Sequence, residues 1–264
     1  PGTGTRRVTY NWSSTMLNEL SLFSGYGGMT LGLRLAGLEV RTIGYVEIEP
    51  YCQELLRTRI RDGLLSWAPV VTDITSADFR PMAGLVDIIT AGFPCQPHST
   101  ASGRPKSGSD PRNLWPDTFR AIREVQPRYV LLENVEAITF RNGGARAFVH
   151  GVERDLASIG YGGRWDCIPA HSIGAPHSRW RWWRIAYATG SSEPTQQECQ
   201  HQEVEWEQQP GGYGESGVVA GWDWSEWPPE SRVCGVDDGI AHWLERHKAL
   251  GNGVIPAVVA RFLS

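Results

Sequence analysis

Apolar positions in the first two thirds of the chain fall alternately into short continuous runs and helically spaced groups. Residues 20–24 form a short apolar run ending in glycines, which predicts a strand. Residues 29–36 have helical apolar spacing and stop at Gly37, a residue suited to a helix C-terminus. Residues 40–46 read as a strand, 51–60 as a helix and 69–72 as a third short strand. The runs at 86–91 (VDIITA) and 129–132 (YVLL) are apolar throughout, as expected of strands covered on both faces. Residues 180–188 read as a late strand of bulky side chains, and 255–263 as a terminal helix with Pro256 in its first turn. This strand–helix rhythm predicts an α/β fold, a doubly wound, mostly parallel sheet with helices on both faces.

Two segments break the rhythm. Residues 97–112 are rich in Gly, Ser, Pro and Arg and predict a long mobile loop, of a length that is usually functional or disordered. Residues 189–231 are rich in Gln, Glu, Gly and Trp and have no periodicity. The expected organisation is a tail at 1–16, a catalytic unit at 17–188, a short acidic insertion at 189–239, and a return to the main unit at 240–264. Residues 1–15 are polar, without the apolar stretch of a signal peptide, and Met16 is a candidate start.

Composition adds a charge asymmetry. The formal net charge is −4, but nine of the 29 carboxylates and no Lys or Arg fall within 189–231. The rest of the chain therefore carries 20 carboxylates against 25 Lys and Arg, a net of +5. A mildly basic body suits phosphate contacts, which need a local basic face rather than a basic total. The five cysteines form no C-x-x-C pair, which argues against a disulfide framework or zinc site and for a reducing, cytoplasmic setting. No run of about 18 apolar residues suggests a membrane span.

Five short motifs carry candidate chemistry. Phe23-Ser24-Gly25-Tyr26-Gly27-Gly28 follows a strand and opens a helix, and Glu47 ends the next strand. Glycines there admit a ligand close to the backbone, and a carboxylate in the second place accepts bonds from ribose hydroxyls. The spacing departs from the G-x-G-x-x-G of nicotinamide enzymes. Gly92-Phe93-Pro94-Cys95-Gln96-Pro97 follows the VDIITA strand, where open sheets bind ligands and a cysteine is placed to be a nucleophile. Glu133-Asn134-Val135 follows YVLL, and a buried acid there would have a raised pKa. Arg179-Trp180-Arg181 puts both arginines on one face of the late strand. Gly251-Asn252-Gly253-Val254 precedes the last helix. Taken singly, each has an ordinary reading: a tight turn, a buried structural cysteine, a capping pair, an edge strand with solvated charges, and a turn.

Taken in order, the five resemble the cytosine-C5 DNA methyltransferase family, with its F-x-G-x-G-G, P-C-Q, E-N-V, Q-x-R-x-R and G-N-x-V. The resemblance runs from about Leu20 to Phe262, outside the insertion. It implies a Rossmann-like S-adenosylmethionine-dependent fold and, as cofactor-site residues, Phe23, Ser24, Gly25, Gly27, Gly28, Glu47, Ile48, Asp73, Ile74, Pro94, Leu114, Asn252 and Gly253. Glu47 would hold the ribose and Asp73 the adenine amino group. Cys95, Glu133, Arg179 and Arg181 would be catalytic, and Gln96, Ser99, Arg104, Lys106 and Arg112 would meet DNA. The implied reaction is methyl transfer to a cytosine flipped out of duplex DNA, through a bond from Cys95 to C6. The implied setting is a monomer of a phage or a restriction–modification system, with a cognate endonuclease as possible partner.

Three features depart from the family pattern. His177 stands where glutamine is usual, Gly253 where serine or alanine is common, and the target-recognition insertion is short and acidic. Within it, Gln196, Gln197, Gln200, Gln202, Gln208 and Gln209 have the chemistry to read adenine edges, and four tryptophans could form a small core. The absence of Lys and Arg favours instead a partly disordered surface insertion, with short or relaxed specificity. Two whole-chain alternatives remain open: a weakened DNA- or cofactor-binding relic, and an RNA (tRNA) cytosine-5 methyltransferase, whose Cys-Phe-Thr signature is absent from the insertion.

Overall fold

The computed structural model describes residues 16–94, 113–139, 145–175, 177–189, 218–219, 222–223 and 253–263. In chain order the main elements are β1 (Leu17–Leu22), α1 (Gly28–Leu35), β2 (Val40–Val46), α2 (Pro50–Arg61), β3 (Val70–Val71) and β4 (Ile88–Gly92). There follow α3 (Trp115–Val125), β5 (Tyr129–Val135), α4 (Ala145–Ser158), β6 (Tyr161–Pro169), β7 (Trp180–Ala188) and α5 (Pro256–Leu263). A two-stranded antiparallel pair, Val218–Val219 with Trp222–Asp223, lies within the acidic insertion.

The seven strands form one sheet in the order β3-β2-β1-β4-β5-β7-β6. β1 to β5 are parallel, and β7 runs antiparallel to both β5 and β6. This is the doubly wound, mostly parallel sheet that the strand–helix rhythm predicts, with a reversed end that the rhythm does not reveal.

Each face of the sheet is apolar because alternate residues of the central strands point to opposite helix layers. On one face Leu20, Leu22, Ile89, Ala91, Val130, Leu132 and Trp182 pack on Ala121, Ile122 and Val125 of α3 and on Val149, Val152 and Leu156 of α4. On the other, Ile88, Leu131, Trp183 and Ile185 meet Met29 and Leu33 of α1 and Val258, Val259 and Phe262 of α5. The terminal helix therefore closes over α1, the helix that the glycine-rich motif opens. Among the described residues, no helix is long and apolar enough to cross a membrane.

The second face also holds a buried polar knot. The carboxylate of Glu19 accepts hydroxyl bonds from Thr30 of α1 (2.7 Å), Thr42 of β2 (2.6 Å) and Thr90 of β4 (2.7 Å). Three donors make a fully buried carboxylate tolerable, and they tie α1 to three adjacent strands.

Candidate active site

The first three parallel strands end at a common edge, and the glycine-rich turn is built there. Phe23, Gly25 and Gly27 all take left-handed backbone angles (φ 53°, 54° and 85°), so the chain reverses within a few residues before entering α1. A non-glycine residue in this region is uncommon, and such conformations concentrate at functional sites. Ser24 secures the turn: its amide donates to the Val46 carbonyl at 3.0 Å, and its hydroxyl to the Ser21 carbonyl at 2.8 Å.

Glu47 stands just beyond the end of β2 and ties its own loop to this turn. Its Oε2 accepts the Gly25 amide at 2.7 Å and its Oε1 the Glu49 amide at 2.8 Å. Gln53, in α2, donates to the Glu47 carbonyl at 2.8 Å and so fixes the backbone beneath the carboxylate. Burial pushes the Glu47 carboxyl above its ordinary range, against the Glu49, Gly25 and Ile48 amides that stabilise its charge.

An S-adenosyl group fits these residues chemically. A carboxylate has about four acceptor positions, so Glu47 keeps capacity for a ribose hydroxyl beside the backbone amides it accepts. Ile48 holds an apolar side chain 61 % exposed beside that carboxylate, an arrangement suited to an adenine face. Asp73 follows β3, the neighbouring strand, and its Oδ1 accepts both the amide and the hydroxyl of Thr75 at 2.8 Å. Those two donors hold the Asp73 carboxyl below its ordinary range, so it stays an ionised acceptor, as an exocyclic amino group requires. Ile74 differs from Ile48: its side chain is only 4 % exposed and belongs to the core, and its carbonyl accepts Arg120 at 2.6 Å. Only its backbone amide is suited to a ligand. Leu114 caps α3 and packs against the same core.

A second cluster forms where β4, β5 and β7 meet. β4 ends at Gly92, which is in parallel register with Glu133 of β5. The Glu133 carboxylate lies across that strand end: a Cβ on Gly92 would sit 3.2 Å from Glu133 Oε2, so only glycine leaves the carboxylate its place. On its other side Glu133 Oε1 is 2.8 Å from Nε of Arg181. Burial pushes the Glu133 carboxyl well above the ordinary carboxylate range, while Arg181 and, less directly, Arg179 favour its ionised form. Arg179 donates to the Gly253 carbonyl at 2.8 Å and so holds the segment leading into α5.

Two local expectations need correction. Glu133 and Asn134 are not a helix cap or surface pair; they lie inside β5, whose ladder with β7 continues to Val135. Arg179 precedes β7 rather than sharing it with Arg181, and β7 is an interior strand between β5 and β6. The reading of Arg181 as a solvated charge on a sheet edge therefore fails.

The structure adds residues that motif reading passes over. Asn134 donates from Nδ2 to the Phe93 carbonyl at 2.9 Å, fixing the exit of β4 one residue before Pro94. Phe93 is buried, its ring 5.4 Å from that of Trp115 and 6.2 Å from that of Phe148. An E-N pair in a strand signals two opposite faces, one carrying the acid and the other an anchor; that alternation is the clue available in the sequence. Cys95, Gln96, Ser99, Arg104, Lys106, Arg112 and Asn252 lie outside the described residues, as does most of the acidic insertion. Two other cysteines are described. Cys52 is buried, and burial with the nearby Glu136 and Asp166 pushes the Cys167 thiol up to about 12, far from a nucleophile's range. Among the described residues no group of His, Cys, Asp and Glu is arranged to hold a metal.

Comparison with known proteins identifies the family. Residues 17–220 match the family model described as C-5 cytosine-specific DNA methylase. The chain is 32% identical over 167 residues to the type II methyltransferase M.CviJI of Paramecium bursaria Chlorella virus IL3A, covering 63% of this chain and 42% of that one. It is 30% identical over 174 residues to the type II methyltransferase M.HhaI of Haemophilus parahaemolyticus, covering 66% and 50%. The chain thus spans half or less of the length of these relatives. In fold it is similar to a solved triple mutant of DNMT2 from Spodoptera frugiperda, with TM-score 0.53 and 21% identity over 70% of this chain and 54% of that one.

Proposed function

The chain belongs to the C-5 cytosine-specific DNA methylase family, and from that premise we propose that it transfers a methyl group from S-adenosylmethionine to C5 of a cytosine flipped out of duplex DNA. The observation that carries the proposal is the pair of the buried Glu133 and the partly buried Arg181, set at the end of β4 three residues before the cysteine of the P-C-Q motif.

Cytosine C5 is a weak nucleophile. Addition of the Cys95 thiolate to C6 turns the ring into an enamine and makes C5 reactive. S-adenosylmethionine, when bound, supplies an electrophilic methyl group on a sulfonium. Glu133 faces the ring edge and holds a proton at N3, where charge develops as the thiolate adds. Its burial favours the protonated state and Arg181 the ionised one, so the pair can give that proton and take it back. Arg181 also fixes the carboxyl plane and presents its remaining N–H groups to the base O2. After methylation a base removes the C5 proton and the thiolate leaves.

The glycine-rich turn, Glu47, Asp73, Pro94 and the Gly253 segment would hold the cofactor. Gln96, Ser99, Arg104, Lys106 and Arg112 supply polar and basic groups suited to DNA phosphates and the gap left by the flipped base. Similarity to type II methyltransferases favours a restriction–modification setting, with a cognate endonuclease as possible partner. The test is bisulfite sequencing of DNA from cells expressing the protein. Protected cytosines in a defined context support the reading; their absence, when the same cells expressing Cys95→Ser give an identical pattern, contradicts it.

A further inference from the structure

The residue between the glycines of the cofactor turn is a tyrosine, and the chemistry above does not use it. Tyr26 reaches out of the turn, and its hydroxyl donates to the Val254 carbonyl. Its ring is braced by Arg59, whose guanidinium lies 5.2 Å from the ring centroid and whose Nη1 donates to the Tyr26 carbonyl at 2.6 Å. The Val254 carbonyl also lies so close to Gly28 that a Cβ there would sit 2.6 Å from it. Bare Cα at position 28 therefore serves this approach. The preceding carbonyl, that of Gly253, takes Arg179 at 2.8 Å. Val254 meanwhile sets its Cγ2 3.8 Å from the Cβ position of Gly92, beside the Glu133 carboxylate.

Two consecutive carbonyls are thus held from opposite sides, one by the cofactor turn and one by the arginine that neighbours the Glu133–Arg181 pair. We propose that Tyr26 is a positioning residue that latches the 253–254 segment onto the glycine turn and closes the cofactor site. This rests on the methyltransferase reading above. Without the hydroxyl, the segment keeps only Arg179 among these two anchors, and a bound cofactor escapes more readily.

Tyr26→Phe in the full chain removes the hydroxyl and keeps the ring under Arg59. Calorimetry with S-adenosylhomocysteine should show about three- to tenfold weaker binding, the range of one net hydrogen bond. Amide exchange at Gly253, Val254 and Ile255 should accelerate, and the KM for S-adenosylmethionine should rise by more than kcat falls. Gly28→Ala, which pushes the same carbonyl away, should weaken binding in the same direction. Unchanged binding and exchange in Tyr26→Phe overturns the latch, as does a lowered melting temperature with binding intact, since that marks a purely structural role. A wild-type chain that binds no S-adenosylhomocysteine overturns the methyltransferase reading and the latch together.

Discussion

Glu133 Oε1 lies 2.8 Å from Arg181 Nε across the β5–β7 ladder, and its other oxygen overhangs the end of β4. The carboxyl is thereby held between a cation and the strand that leads to Cys95. Glu133→Gln keeps the shape but cannot shuttle a proton. Its methylation rate should fall by about 10²- to 10⁴-fold, the usual worth of a positioned general acid, with melting temperature little changed. Single-turnover methyl transfer measures it, and a loss under about tenfold contradicts the assigned role.

Gly92→Ala places a methyl 3.2 Å from Glu133 Oε2. The carboxylate must shift by a few tenths of an ångström, and displacements of that order matter at a reacting centre. Turnover should drop while cofactor affinity, set mainly at the other strand ends, stays near the wild-type value. Parallel loss of both would show that the substitution disrupts the fold.

Asn134→Ala removes the bond that fixes the Phe93 carbonyl. A buried backbone acceptor left unpaired costs about 1–3 kcal/mol. Urea unfolding should show that loss, and activity should fall further than stability predicts because Cys95, the proposed nucleophile, follows Phe93 by two residues. Restored activity in Asn134→Ser but not in Asn134→Leu would support a hydrogen-bonding role.

Glu19 sets a pH dependence of stability. Burial raises its carboxyl above the ordinary 4.5, against the lowering effect of Thr42, Thr90 and Thr30. A folded-state pKa above the unfolded one means the group's contribution is fully present below 4.5 and is lost as pH rises through the folded value. Urea midpoints of the wild-type protein should therefore carry a component that declines with rising pH above 4.5. Glu19→Gln should flatten it. An identical pH slope in the variant contradicts the assignment.

Much of this fold is legible in the sequence. Residues 40–46 and 180–188 are strands over the predicted spans, because their apolar content carries no competing turn signal. β6 has no clear sequence signal because Gly162 and Gly163 interrupt it and charged residues follow; its ladder with β7 overrides that weak local preference. α4 carries Gly151 mid-helix, and α3 opens with Pro116 directly after a loop-like stretch, so neither shows a clean start. The polar pair Glu133-Asn134 ended the apparent strand in the sequence, yet backbone pairing with β7 does not depend on side-chain polarity and runs on to Val135. The motifs mark Glu133, Arg179, Arg181 and the glycine-rich turn. They could not show the reversal of β7 that brings Arg181 to Glu133, nor the approach of Val254 to Gly28, since both are long-range packing events.

The central claim is tested most directly by mixing the protein with S-adenosylmethionine and varied-sequence duplex DNA carrying 5-fluorocytosine. Fluorine at C5 prevents the final elimination, so the C6 adduct persists. The wild-type chain should form a complex that survives denaturing electrophoresis, and Cys95→Ser should form none. No adduct from the wild-type protein, or an equal adduct from Cys95→Ser, would contradict the account.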